Sequence, residues 1–81
     1  MSHREKLLTV YTRTLKNCLY YWEEGKPAAL LNEIGVLRGC VYALEQIVGE
    51  NNIFDYIQYD LFSKLIDKQQ ELKIALEIEL D

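Results

Sequence analysis

Apolar residues recur along this chain at steps of three and four in three successive blocks, separated by short stretches rich in glycine, proline, asparagine and acidic residues. In the first block Leu8, Tyr11, Leu15, Cys18 and Trp22 form a seam, widened by Leu7, Val10, Leu19 and Tyr21. Side chains at this spacing share one helix face, so the block predicts an amphipathic α-helix over residues 3–22. Ser2 and Glu5 form a capping-box pair at its start. The run Glu23-Glu24-Gly25-Lys26-Pro27 ends it. Glycine takes the left-handed conformation that closes a helix, and proline suits the first turn of the next. So short a connection predicts an antiparallel helix hairpin.

The second block predicts a helix over residues 28–48, with a seam of Leu30, Ile34, Leu37, Val41, Leu44 and Val48. A second stripe, Val36, Cys40, Ala43 and Ile47, runs beside it. A helix this apolar is expected to lie centrally, against both other helices or a partner. Gly35 and Gly39 share a face at a cost of about 1 kcal/mol each relative to alanine, which predicts the close approach of a neighbouring helix there.

Gly49 marks the end of the second helix, and Asn52, with Asp55 three positions on, is expected to cap a third. That helix is predicted over residues 53–79, with Phe54, Ile57, Leu61, Leu65, Leu72 and Ala75 inward and Phe62 and Ile66 flanking. Its stripe weakens at Asp67-Lys68-Gln69-Gln70. Beyond it, Leu72, Ile74, Leu76, Ile78 and Leu80 alternate with Lys73, Ala75, Glu77, Glu79 and Asp81, which is strand periodicity. A strand here would have to pair with another copy, and the helix formers in the tail favour helix instead. As a helix, the third element is about 40 Å long against roughly 30 Å for the others, so its tail is expected to overhang the core.

The chain therefore reads as all-α, a single three-helix domain spanning residues 1–81: an antiparallel hairpin plus a long third helix, expected to form a dimeric helical bundle. Composition strengthens the expectation of a partner. Of 81 residues, 49% are hydrophobic and six are tyrosines, yet a monomer of this size buries only about 63% of its unfolded surface. Tyrosine pairs a large contact area with a polar tip, which suits interfaces. Tyr42, Tyr56, Tyr59, Leu72, Leu76 and Leu80 are the candidate interface residues.

The net charge of −4 is unevenly spread. Arg4, Lys6, Arg13 and Lys16 make the first helix basic, whereas most acids follow Glu45. The basic helix is expected to lie along the acidic third helix, of its own chain or of a partner. An acidic chain without clustered cations makes nucleic acid an unfavoured partner, and DNA binding through the first helix is disfavoured for the same reason. No apolar run approaches the length of a membrane span. The N-terminal Ser2-His3-Arg4-Glu5-Lys6 does not resemble a signal peptide, so a cytoplasmic protein with reduced Cys18 and Cys40 is expected.

Chemistry-bearing constellations are sparse. His3 is the only histidine, which leaves no triad, no Cys/His pair and no zinc ligand set, and no phosphate-binding loop occurs. No catalytic, metal or cofactor residues are assigned, and the chain is expected not to be an enzyme. An alternative set, Tyr11, Trp22, Lys26 and Arg38, could frame an anionic or nucleotide-like ligand at a subunit interface, because cations and aromatic faces suit such ligands. The stretch Leu37-Arg38-Gly39-Cys40-Val41-Tyr42-Ala43-Leu44-Glu45 resembles helices in small bacteriophage-encoded proteins of unknown role, and no functional residue is carried over from it. The expected function is a non-catalytic helical protein-interaction module, an adaptor or inhibitor, that associates with itself and with another protein.

Overall fold

The structure, a computed structural model, describes residues 2–80, with side chains to residue 77. Three α-helices, α1 (His3–Glu23), α2 (Pro27–Val48) and α3 (Tyr59–Leu80), are joined by the Gly25 turn and by a loop carrying one short 3-10 turn, Ile53–Asp55. There is no strand among the described residues. The chain is all-α, as its periodicity predicts. None of these helices is long and apolar enough to cross a membrane.

Local chemistry sets the hairpin. At the start of α1 the Glu5 backbone N–H donates to Ser2 Oγ at 3.1 Å, satisfying one of the free donors of the first turn. At its end Gly25 takes φ +67°. The Lys26 N–H then reaches the Tyr21 carbonyl at 3.0 Å and the Gly25 N–H the Trp22 carbonyl at 3.2 Å. These two bonds reverse the chain as a Schellman motif, and Pro27 opens α2.

α2 is the central helix, packed against α1 on one side and α3 on the other. Leu30, Ile34, Leu37, Val41 and Leu44, all buried, meet Tyr11 and Cys18 of α1 and Leu65 and Leu72 of α3 in one core. The two glycines depart from expectation. A Cβ placed on Gly35 or Gly39 would meet nothing within 4 Å. They lie roughly half a turn around α2 from its core seam, on a face that no helix of this chain approaches. Val36 and Ile47 of the second stripe are likewise exposed.

The link into α3 is a second correction. The predicted helix over residues 53–58 is replaced by the 3-10 turn and a bend. Asn52 caps the helix before it, its Nδ2 donating to the Val48 carbonyl at 2.9 Å. Ile53 and Ile57 are both buried where this segment crosses the open end of the hairpin. The Gln58 backbone N–H, outside any helix, donates to the buried Tyr11 hydroxyl at 3.3 Å. The acceptor stands 47 residues away in the chain, outside what a local reading of residues 53–58 contains.

Beginning at Tyr59, α3 has 22 residues, like α2, and is about 33 Å long. The expected 40 Å helix is absent. The fold nonetheless spans 44 Å along its longest axis, about 11 Å more than one helix, because α3 is displaced along α2. Leu72 reaches the level of Leu30 near the hairpin turn, where both line one cleft, and the last two turns of α3 run past it. The tail is helical: Leu72 is buried, Leu76 half-buried four residues on, and Ile74 between them exposed. Within this chain basic α1 packs on α2 rather than along α3. The one ion pair among the described residues is Lys68–Glu71 within α3, at 3.2 Å.

Candidate functional site

Three of the four most exposed apolar side chains, Tyr42, Phe54 and Tyr59, lie on the C-terminal half of α2, the 3-10 turn and the start of α3. Arg38, Val41, Tyr42 and Glu45 on α2 and Phe62 and Ile66 on α3 line a groove of about 310 Å³. Tyr59, Phe62 and Ile66 are spaced three and four apart and so share a face of α3. Tyr59 carries the face onward to Phe54, with ring centroids 5.0 Å apart in an edge-to-face arrangement, the geometry that aromatic quadrupoles favour. Tyr42 is 67% exposed, Phe54 57% and Tyr59 55%. Arg38 Nη1 donates to Gln69 Oε1 at 2.7 Å. This bond fixes the guanidinium at one end of the groove, and its other N–H groups make no hydrogen bond among the described residues. Glu45 stands two turns further along α2, about 10 Å away, and makes no ion pair among the described residues.

The predicted interface residues separate accordingly. Tyr42 and Tyr59 lie on this exposed surface. Tyr56 is half-buried beneath Arg4, whose guanidinium sits 5.8 Å from the ring centroid and donates to the hydroxyl at 3.3 Å. Leu72, at 8% exposure, belongs to the core. Leu76 is half-buried, and Leu80 falls outside the described side chains. Helical spacing predicts Phe54 inward, with Phe62 and Ile66 flanking the stripe. The break at residues 53–58 turns Phe54 out, and the offset of α3 leaves Phe62 and Ile66 at the rim.

The four candidate ligand contacts do not converge. Trp22 and Lys26 line a cleft of about 250 Å³ at the hairpin turn, with Tyr21, Leu30, Lys68 and Leu72. Lys68 Nζ sits 5.3 Å from the Trp22 ring centroid, a cation–π contact that spacing along the chain could not reveal. Arg38 lies twelve residues along α2 from Lys26, about 18 Å away, and bonds Gln69 instead. Tyr11 is buried in the core. Its hydroxyl pKa is raised by burial, with the Gln58 bond lowering it and Cys40 adding to the rise.

Cys18 and Cys40 are free and buried. Burial first, and then the nearby Glu33 charge, push the Cys18 thiol up to about 11. Burial also raises Cys40, whose Sγ donates to the Leu7 carbonyl at 3.2 Å. Both thiols are protonated near neutral pH, the inert form of a packed cysteine.

Comparison of the chain with protein-family models, with characterised proteins and with solved structures returns no match.

Proposed function

We propose that this chain is a non-catalytic helical protein-interaction module, an adaptor or inhibitor that self-associates and docks another protein. The observation that carries the reading is the aromatic face of Tyr42, Phe54, Tyr59 and Phe62, flanked by Arg38 and Glu45. Aromatic side chains and arginine are the groups enriched at interface centres, and an exposed apolar patch loses about 25 cal/mol for every Å² it leaves in water. Light scattering coupled to size exclusion, run beside affinity capture with wild-type and Phe54→Asp/Tyr59→Asp baits, tests it. The reading expects a mass above the monomer and a partner that the double variant fails to retain. A strictly monomeric chain whose two baits retain the same proteins sinks it.

A second reading, an anionic ligand bound at a subunit interface, draws support from the cleft of Trp22, Lys26 and Lys68. Its volume of about 250 Å³ is below the roughly 300 Å³ at which ligand pockets begin, so a nucleotide-sized ligand needs walls from another chain. A thermal-shift screen of nucleotides and anionic metabolites decides it, since a ligand that binds only the folded state must raise the melting temperature.

A further inference from the structure

We infer that a second copy of this chain docks into the α2–α3 groove antiparallel to the first, with Arg38 of each protomer against Glu45 of its partner and Tyr42 near the twofold axis. This rests on the self-association proposed above and names its surface.

Charge complementarity selects the occupant. The groove floor is apolar, from Val41, Tyr42, Phe62 and Ile66, and its two ends carry opposite charges, Arg38 and Glu45. These charges lie seven residues apart on one helix, with Tyr42 between them. Two turns of helix separate them by about 10 Å, too far for them to neutralise each other. A surface with a cation at one end, an anion at the other and an aromatic in the middle complements itself under a twofold rotation, the symmetry of most dimers. Antiparallel pairing brings Arg38 to the partner's Glu45 twice and sets Tyr42 near its symmetry mate. Parallel stacking in register would oppose like charges.

Tyr42, the most exposed of these apolar side chains at 67%, stands at the proposed centre.

Sedimentation equilibrium over a dilution series, with circular dichroism to check that each variant is folded, tests the pairing. Wild type is expected to be a dimer. Glu45→Arg and Arg38→Glu should each raise the dissociation constant about tenfold or more by opposing like charges twice, and the double reversal should return it to within about threefold of wild type. Tyr42→Asp should give a monomer. Glu45→Arg removes no side-chain bond among the described residues, so with Tyr42→Asp it decides the matter if loss of the Gln69 contact unfolds Arg38→Glu. A dimer indifferent to Glu45→Arg and Tyr42→Asp, or single reversals that the double does not rescue, overturns this interface and leaves self-association standing. A wild type that stays monomeric at its highest soluble concentration overturns both.

Discussion

Replacing Gly35 and Gly39 by alanine should stabilise this protein, and the size of the effect follows from the structure. Both residues sit inside α2, and neither has a positive φ, so alanine adopts the same backbone without strain. An added Cβ at either position finds no atom within 4 Å, so no steric term opposes the change. What remains is the difference in helix propensity, about 0.8–1 kcal/mol per site, arising from glycine's greater freedom in the unfolded chain. Helix propensity is a per-residue term and neither added methyl meets a neighbour, so the two effects should sum to about 2 kcal/mol. At roughly 4–8 °C per kcal/mol for a domain of this size, the double variant should melt about 8–16 °C above wild type. Urea titration should move its midpoint without changing the slope. Both measurements belong at low protein concentration, so that association does not add to stability. A double variant that melts at or below the wild-type temperature would refute the reasoning. It would mean that something packs on the glycine face and needs it bare, as the sequence first suggested.

Other substitutions separate folding from association. Leu72→Ala, in the core beside Leu30, should cost about 2–4 kcal/mol in urea unfolding. The same change at half-buried Leu76 should cost less than half as much, and equal losses would contradict the burial order. Tyr11→Phe removes the acceptor of the Gln58 N–H and should cost about 1 kcal/mol while speeding hydrogen exchange at that amide. Unchanged exchange there would show that the bond contributes nothing. The thiols predict a pH dependence. The folded-state pKa of Cys18 is raised from 9.0 to about 11, so the folded state holds a proton that the unfolded thiol gives up first. Stability is therefore full below pH 9 and falls as pH rises toward 11. Cys40 and Tyr11, also raised, act in the same direction. Cys18→Ala should flatten this alkaline decline, and a profile as steep as wild type would contradict the assignment.

How legible each part was follows from the range of the interaction behind it. The hairpin could be read closely, because a three-and-four stripe and a Gly-x-Pro punctuation act within a few residues: Gly25, Pro27 and Gly49 stand at the predicted boundaries. The tail at residues 72–76 was ambiguous in the sequence because its apolar residues alternate. Burial of Leu72 and Leu76 on one side of a helix resolves it. Part of the candidate surface was legible. Tyr42 and Tyr59 could be named because tyrosine pairs a large contact area with a polar tip, whereas nothing local tells Tyr56 that Arg4 will cover it.

By itself, then, the sequence determined three amphipathic helices, the hairpin between the first two and the central place of α2, since periodicity and turn chemistry are short-range properties. Only the tertiary structure decided where the third helix starts and how far it slides along the second. Closing the open end of the hairpin required Ile53 and Ile57 in the core and a Tyr11 hydroxyl, 47 residues away in the chain, to accept the Gln58 N–H. That closure displaces α3, turns Phe54 outward and leaves an aromatic groove between Arg38 and Glu45. The long-range packing that completed the core also exposed the surface on which association is proposed.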